Sequence, residues 1–426
     1  LGSQRSKAFQ CRSVTPKQKR AKPTELYSDI SVNPLVASVK VSKTVEIFSL
    51  VKEMQAAGET VTSLCVGEPD FLPPQAVLDA IQQAVLDGDT RYTAVTGTVE
   101  LRKAIAADLE KRKGVQYNPL TDIVVGNGAK QSVYQSVLAT CGPGDKVIIP
   151  APYWPSYPEM VALAGAESVV IETEAEDGFL LTAAALDKAL KANPETKLMI
   201  FCNPSNPTGG VHDEARLKEL GAVLEQYPNV AVLADEIYER LVYNEDGKCP
   251  SFASIPGMYD RTMTVNGFSK AYAMTGLRLG YVAAPTKLAK AITTIQSQLT
   301  SCAGSISQAA GVAALTKVDE SILENNIVIM KEKRDYVLER LSQIPGVHVA
   351  VPPEGAFYVL PEMATYFGGD DTELCLELLK TKKLALVPGS SFGAPGTVRL
   401  SYATSMDELK VAIDKLEEFL KEQTER

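Results

Sequence analysis

Histidine is scarce in this sequence. Only two histidines, His212 and His348, occur among 426 residues. A Ser-His-Asp triad or a histidine-rich metal site therefore has little material, and we expect no metal centre. His212 follows two glycines and His348 lies in the apolar run Val347-His348-Val349, so we interpret both as structural residues.

Paired cysteines are missing as well. The seven cysteines are an odd number, widely spaced, and none forms a C-x-x-C motif. This pattern indicates free thiols in a reducing compartment, and it argues against a disulfide framework or a zinc site.

Long apolar runs and an excess of basic residues are also absent. No stretch approaches the roughly 18–20 apolar residues that a membrane helix needs, so we expect no membrane span. The net charge of −9 argues against a nucleic-acid partner, which would require a basic face. A hydrophobic content of 45% is sufficient for a packed core.

The beginning of the chain has an unusual charge. Residues 1–24 contain seven Lys and Arg and no Asp or Glu. An acid-free segment with Arg, Lys and Ser resembles the end of an organelle transit peptide. We therefore expect a plastid protein, with a cytoplasmic location as the alternative if residues 1–30 are a disordered arm or a cloning remnant.

Short β-branched runs alternate with amphipathic stretches such as Asp213–Glu225. This alternation predicts an α/β fold with a mostly parallel sheet and helices on both faces. The predicted strands are Ile123–Val125, Lys146–Ile149, Ser168–Ile171, Leu198–Phe201, Val230–Ala234, Thr262–Val265 and Leu279–Ala283.

The pattern changes after about Ser305, where we expect a smaller α+β domain. Its predicted elements are a long helical stretch at Ser307–Leu341, short strands at Val347–Val351, Ala356–Leu360, Leu384–Val387 and Val398–Tyr402, and a closing helix at Asp407–Lys421. The predicted organisation is a basic arm (1–30), an N-terminal arm that packs on the small domain (31–70), a large cofactor-binding domain (71–320) and the small domain (321–426).

Four side chains indicate the chemistry. Asp235 and Tyr238 follow the run Val230–Ala234, and Lys270 precedes Arg278 by eight residues. A lysine amine can form a Schiff base with the aldehyde of pyridoxal phosphate, and a carboxylate can pair with its pyridinium nitrogen. A phenol suits the ring hydroxyl and an arginine suits the phosphate, so we predict a pyridoxal phosphate site.

A glycine-containing turn opens a predicted helix at Gly128-Ala129-Lys130. It superficially resembles the dinucleotide motif G-x-G-x-x-G, but Gln131 replaces the third glycine and the match is weak. Free backbone N–H groups at a helix N-terminus favour an anion, so we interpret this segment as a phosphate-binding site.

These segments resemble class I aminotransferases of the aspartate aminotransferase fold, from about Ser31 to the C-terminus. The resemblance is strongest to the prokaryotic-type branch that includes plant plastid aspartate/prephenate aminotransferases. The matching motifs are Val66-Gly67-Glu68-Pro69-Asp70-Phe71, Tyr92-Thr93-Ala94-Val95-Thr96-Gly97, Pro152-Tyr153-Trp154, Asn203-Pro204-Ser205-Asn206-Pro207, the segment around Lys270, Pro388-Gly389-Ser390-Ser391-Phe392 and Val398-Arg399-Leu400-Ser401-Tyr402.

The resemblance implies the pyridoxal-phosphate fold of type I and roles for further residues. Trp154 would stack on the cofactor ring, and Asn206 would bond the ring oxygen and the substrate carboxylate. Arg399 would hold the substrate α-carboxylate, with Gly67 adding a backbone N–H. Tyr92 would reach the cofactor phosphate of a neighbouring subunit, which implies a homodimer with shared active sites.

Two positions are expected to set substrate specificity. The segment Gln296–Cys302 lacks the arginine that one branch of the family uses for a distal carboxylate. Lys130 matches a lysine that relatives use for acidic side chains and prephenate, and Thr44 matches their second specificity position. Alternatively, Lys130 is a solvated lysine at a helix start. Gly267 departs from many relatives, which have a hydroxyl residue there, and Ser269 could supply the contact.

We therefore expect a homodimeric aminotransferase that uses pyridoxal phosphate and acts on amino acids and 2-oxo acids. The expected donor is aspartate or glutamate, and the acceptor is 2-oxoglutarate, oxaloacetate or prephenate. One alternative is a β-lyase or synthase on the same fold. Another is a regulator that binds the cofactor without turnover, although residues 1–30 are too short for a DNA-binding domain.

Overall fold

The computed structural model describes residues 31–39, 43–245 and 247–424, without the side chains of residues 43–45 and 424. The predicted basic arm and the side chain of Thr44 lie outside the described residues. The described residues before Val39 belong to a small unit with one short helix, and the chain from Val39 onward forms a second, compact unit.

The helices are α1 (Pro34–Ser38), α2 (Lys43–Ala56), α3 (Gln75–Leu86), α4 (Val99–Lys113), α5 (Ala129–Thr140), α6 (Ser156–Leu163), α7 (Ala183–Ala192), α8 (Glu214–Leu224), α9 (Thr286–Leu299), α10 (Ser305–Thr316), α11 (Glu320–Ser342), α12 (Asp371–Lys382) and α13 (Met406–Thr424). The strands are β1 (Thr62–Ser63), β2 (Ile123–Gly126), β3 (Lys146–Ala151), β4 (Glu167–Glu172), β5 (Thr196–Cys202), β6 (Ala231–Asp235), β7 (Thr262–Gly267), β8 (Gly280–Ala283), β9 (Tyr358–Val359), β10 (Leu384–Ala385), β11 (Val387–Pro388) and β12 (Val398–Ser401).

A seven-stranded sheet is the centre of the compact unit. Its strand order is β2-β8-β7-β6-β5-β3-β4, and all seven strands predicted from the sequence are in it. The strands pair in parallel except β8, which runs antiparallel to both β2 and β7. The predicted α/β fold with a mostly parallel sheet is confirmed.

Helices cover both faces of this sheet, because successive side chains of a strand point to opposite sides. In β3, Val147 and Ile149 belong to a buried cluster with residues of α5, α6 and α9, whereas Ile148 belongs to a cluster with residues of α7 and α8. A strand buried on both faces has no polar positions, which explains its continuous apolar sequence.

The C-terminal part holds a three-stranded antiparallel sheet with the order β11-β12-β9. The helical stretch predicted at Ser307–Leu341 is in fact two helices, α10 and α11. The break precedes Asp319, whose side chain accepts a hydrogen bond from the N–H of Ser321 and caps α11. The predicted strand at Val347–Val351 is wrong: His348 forms only an isolated bridge with Glu362.

Helix α2 packs on the C-terminal region. Ile47 and Val51 are buried together with Leu379, Val387 and Phe392. The expected boundary between a large and a small domain stays a prediction, since the chain from Val39 onward is one compact unit. Within the described ranges, no helix is both long enough and apolar enough to cross a membrane.

Candidate active site

A cavity of about 340 Å³ opens where β6 and β7 end and α5 begins. In open sheets of parallel strands, ligands bind at the carboxyl ends of the strands, in the crevice that forms where the strand order reverses. Ten of the residues predicted from sequence line it: Gly67, Ala129, Lys130, Trp154, Asn206, Asp235, Tyr238, Lys270, Arg278 and Arg399.

Asp235 is the last residue of β6 and its carboxylate is buried. Tyr157 donates a hydrogen bond of 2.7 Å to Oδ2, and the N–H of Ile237 donates one of 3.3 Å to Oδ1. Burial raises the pKa of Asp235 to about 6, because a charged carboxylate is unfavourable away from water. A cationic partner in the cavity would relieve that cost.

Lys270 lies three residues beyond the end of β7. Its Nζ donates a hydrogen bond of 2.5 Å to the backbone oxygen of Gly67 and lies 6.0 Å from the ring centroid of Tyr238. Burial lowers the pKa of Lys270 to about 8. The amine is therefore close to the point where it can both lose and regain a proton at physiological pH.

Gly128 and Arg278 meet at the N-terminus of α5. Gly128 has a φ of +89°, and a Cβ there would lie 2.6 Å from a terminal nitrogen of Arg278. Arg278 itself has a φ of +49°, which is unusual for a residue with a side chain. The first turn of a helix leaves backbone N–H groups without partners, so Ala129, Lys130 and Arg278 together suit an anion.

Arg399 on β12 is buried with its donors directed toward the cavity wall. Nη1 donates to Oδ1 of Asn206 at 3.0 Å, and Nη2 donates to the backbone oxygen of Cys65 at 2.7 Å. Nε is buried and has no partner among the described residues. The guanidinium carbon lies 4.4 Å from the ring centroid of Tyr358 and 4.8 Å from that of Phe392.

Tyr238 lies on the loop after β6, and its hydroxyl is 2.8 Å from the hydroxyl of Tyr358. Burial holds the pKa of Tyr238 well above its ordinary value, so the phenol stays protonated and can donate.

Trp154 and Lys130 are neighbours in the lining of the cavity. Nζ of Lys130 lies 5.1 Å from the Trp154 ring centroid, and Trp154 makes an edge contact with Tyr157 at 5.3 Å. Partial burial, and secondly Arg278, lower the pKa of Lys130. An anion beside Lys130 would offset both effects.

Two further positions that the sequence singled out, Tyr92 and Gly267, do not line the cavity. Tyr92 is 88% exposed and does not line the cavity of its own chain. Gly267 packs tightly, because a Cβ there would lie 3.0 Å from both Cα of Gly280 and the oxygen of Leu279. The backbone leaves no easy room for a hydroxyl side chain, while Ser269 lies on the cavity wall.

Sequence reasoning gave no role to three residues at this site, Tyr157, Tyr358 and Phe392, although Phe392 ends one of the matching motifs. Tyr157 lies three residues after Trp154, and its backbone N–H donates a hydrogen bond of 3.0 Å to the oxygen of Trp154, so the turn that leads into α6 brings the two side chains together. Tyr358 is 120 residues from Tyr238, its hydrogen-bond partner, and no local signal indicates the contact.

The residues present fit pyridoxal phosphate. The buried carboxylate of Asp235 suits a cation such as a protonated ring nitrogen, because a cation would offset the cost of burying its charge. The helix start at Ala129 and the Arg278 guanidinium suit a phosphate, and the buried amine of Lys270 suits an aldehyde.

Comparison with known proteins agrees with this assignment. The family model of "Aminotransferase class I and II" matches residues 59–416. An aspartate aminotransferase of Pinus pinaster is 45% identical over 404 residues, covering 92% of this chain and 81% of the relative. A bifunctional aspartate aminotransferase and glutamate/aspartate-prephenate aminotransferase of Petunia hybrida is 44% identical over 403 residues, covering 92% and 83%.

A solved structure agrees in fold. The aspartate aminotransferase of Thermus thermophilus with maleate has a TM-score of 0.86 and 35% identity, over 91% of this chain and 99% of that one. The chain therefore belongs to the class I and II aminotransferases, and it is a transaminase that depends on pyridoxal phosphate.

Proposed function

We propose that this aminotransferase moves the amino group of aspartate or glutamate to 2-oxoglutarate, oxaloacetate or prephenate in two half reactions. One observation carries the proposal: two cationic side chains, Lys130 and Arg399, line the same cavity as Lys270. A substrate with two carboxylates would neutralise both. The names of the Pinus and Petunia relatives, and the maleate with the Thermus enzyme, support a dicarboxylate.

The α-carboxylate is assigned to Arg399. A guanidinium presents parallel N–H groups that match the two oxygens of a carboxylate, and Arg399 has donors left after its bonds to Asn206 and Cys65. Its burial strengthens such a pair, because the surrounding dielectric is low.

Bound pyridoxal phosphate would supply an electron sink for the substrate α-carbon. Lys270 would bind its aldehyde and, once released by the substrate, hold and move a proton at Nζ. Asp235 would keep the ring nitrogen protonated, Tyr238 and Asn206 would donate to the ring oxygen, and Trp154 would cover one face of the ring.

The second carboxylate is assigned to Lys130. A cation beside Arg278 and a helix N-terminus is electrostatically unfavourable unless anions are bound there. The side chain of Thr44, the other expected specificity position, lies outside the described residues.

A homodimer with shared sites belongs to the same proposal. Tyr92 carries a phenol that is almost fully exposed on its own chain. Such a side chain is free to reach the anion site of Arg278 and Ala129 in a second copy across a two-fold axis.

We also propose a plastid location. Its support is the acid-free, basic composition of residues 1–24, together with plant relatives, although bacterial relatives are similar too. Fractionating plant cells that produce this enzyme tests it, since recovery of the enzyme in the cytosol and not in plastids would contradict the proposal.

The substrate proposal is tested by coupled assays on purified protein. Aspartate is paired with 2-oxoglutarate or prephenate, glutamate is paired with oxaloacetate or prephenate, and the amino group is followed into the product. We expect kcat/KM for these pairs to exceed that for alanine as donor by about ten- to a hundred-fold, the effect of one lost charge-assisted bond. Comparable rates with alanine would contradict the dicarboxylate assignment.

A further inference from the structure

We propose that Tyr358 is a positioning residue that links the carboxylate anchor Arg399 to the phenol Tyr238. Its ring would fix the plane of the guanidinium, and its hydroxyl would aim the hydroxyl of Tyr238. The inference rests on the roles proposed above for Arg399 and Tyr238.

The ring of Tyr358 is one of two aromatic rings that contact the Arg399 guanidinium. The Arg399 guanidinium lies 4.4 Å from the Tyr358 centroid and 4.8 Å from the Phe392 centroid. Arginine stacks on aromatic faces through its planar cation, so two rings restrict how the group can tilt. Hydrogen bonds to Asn206 and Cys65 fix the remaining rotation within that plane.

The hydroxyl of Tyr358 serves a second group. It lies 2.8 Å from the hydroxyl of Tyr238, and both rings are buried. A phenol can accept one hydrogen bond and donate another. When Tyr358 donates to Tyr238, the proton of Tyr238 is left to point into the cavity, where the ring oxygen of the cofactor would lie.

The backbone holds Tyr358 in place from two sides. β9 pairs with β12 in an antiparallel register that sets Tyr358 opposite Ser401, two residues from Arg399. On the other side, a Cβ at Gly67 would lie 2.3 Å from the Tyr358 hydroxyl. Glycine at this position therefore leaves the space that the hydroxyl occupies.

Three variants separate the two functions of this side chain. Tyr358→Phe keeps the ring and removes the hydroxyl, whereas Tyr358→Leu removes both. Phe392→Leu removes the other ring that contacts Arg399 and leaves the hydrogen bond between Tyr358 and Tyr238 in place. Two readouts are measured on the cofactor-loaded protein: the pH midpoint of the cofactor absorbance change, and the dissociation constant of maleate, an unreactive dicarboxylate.

For the hydroxyl, we expect Tyr358→Phe to raise the absorbance midpoint by about half a pH unit. A weaker donor at Tyr238 stabilises negative charge on the ring oxygen less, so deprotonation requires a higher pH. Tyr238→Phe should raise the midpoint further, and Phe392→Leu should leave it at the wild-type value. Maleate affinity in Tyr358→Phe should stay within about twofold of wild type.

For the ring, we expect Tyr358→Leu and Phe392→Leu each to weaken maleate binding by about tenfold, with KM raised more than kcat is lowered. If Tyr238→Phe shifts the pH midpoint of the absorbance change but Tyr358→Phe does not, then the Tyr358 hydroxyl does not aim Tyr238 and that part of the inference is wrong. Equal maleate affinities in Tyr358→Phe and Tyr358→Leu would overturn that of the ring.

The roles of the two linked residues are checked separately. If Tyr238→Phe keeps the wild-type midpoint, or Arg399→Lys binds maleate as wild type does, then the assignment of that residue is wrong and the inference fails with it. A failure confined to the Tyr358 variants leaves the proposed substrate site intact.

Discussion

Tyr157 and Asp235 form a buried hydrogen bond of 2.7 Å in which the phenol donates to the carboxylate. The bond lowers the pKa of Asp235, but burial acts more strongly in the opposite direction and raises it to about 6. The carboxylate is thus poorly solvated unless a cation joins it. Without cofactor, the buried carboxylate of Asp235 therefore lowers the stability of the folded protein. With cofactor bound, the same carboxylate contributes to the affinity for the cofactor.

Asp235→Asn should stabilise the cofactor-free protein at neutral pH. The pKa of Asp235 is 3.8 when unshifted and about 6 in the folded protein. Its contribution to stability is therefore full below about pH 4 and is lost as pH rises through 6, a change of about 3 kcal/mol. In urea unfolding, the advantage of the variant should be larger at pH 7.5 than at pH 4.5.

The same substitution should weaken the binding of pyridoxal phosphate by about ten- to a hundred-fold, since a charge-assisted bond is lost. Asp260→Asn, at an exposed position, is the control and should change neither quantity. A variant that is less stable than wild type at pH 7.5 without cofactor would contradict the argument.

Lys270→Ala should abolish transamination and leave the fold intact, because its Nζ makes one hydrogen bond, to the backbone of Gly67. Borohydride reduction of the wild-type enzyme should attach the cofactor to Lys270, as peptide mapping would show. Lys130→Ala should still be labelled at Lys270. A label on any other lysine would refute the assignment.

Lys130→Ala should lower kcat/KM for aspartate and for prephenate by about ten- to a hundred-fold, the effect of one charge-assisted bond. Alanine, which lacks the distal carboxylate, should be affected little. Lys290→Ala, on the exposed face of α9, is a matched control. Equal losses for charged and uncharged substrates would show that Lys130 serves the cofactor or the fold.

Hybrid dimers test the shared active site. A Tyr92→Ala chain and a Lys270→Ala chain should each be inactive alone. In a mixed dimer, one site combines an intact Lys270 with an intact Tyr92 from the other chain. When equal amounts of the two chains mix at random, half of the dimers are hybrids and each hybrid has one intact site. The mixture should therefore have about a quarter of wild-type activity. A fully active monomer in sedimentation would exclude this arrangement.

Glu239→Ala should destabilise the protein by about 3–5 kcal/mol, because it removes the carboxylate that pairs with the buried Lys113 and leaves Arg112 with Asp108 alone. Glu239 contacts Arg112 at 2.5 Å and Lys113 at 2.9 Å. Burial alone would raise the pKa of Glu239, but Lys113 and Arg112 hold it well below its usual range. Its stabilisation is therefore present above the pKa of unfolded glutamate and declines as pH falls below it.

Urea unfolding at pH 7 and pH 3.5 measures this effect, which should be smaller at the lower pH. Glu377→Ala, which breaks the exposed pair with Lys380, is the control and should cost less than about 1 kcal/mol. A similar cost for both variants would mean that the buried cluster contributes no more than a surface pair.

The central sheet could be predicted because its strands are buried on both faces. Runs such as Leu198–Phe201 are continuously apolar for that reason, and each occurs as a strand. The short elements could not be predicted as well. Val347–Val351 has the alternation of a strand, but only His348 finds a partner. The antiparallel direction of β8 could not be predicted either, because the direction of a strand depends on the segments that connect it to its neighbours and not on the pattern of apolar residues within it.

The sequence by itself determined the chemistry of this protein: Lys270, Asp235, Tyr238 and Arg278 occur in local motifs whose residue types suit one cofactor. The tertiary structure alone decided how those groups are aimed. The hydrogen bond between Tyr157 and Asp235 joins residues that are 78 positions apart, and the one between Tyr238 and Tyr358 joins residues that are 120 positions apart. Tyr358 also contacts Arg399. Local patterns carry no information about such contacts, because they arise only when distant strands pair and bury their side chains together.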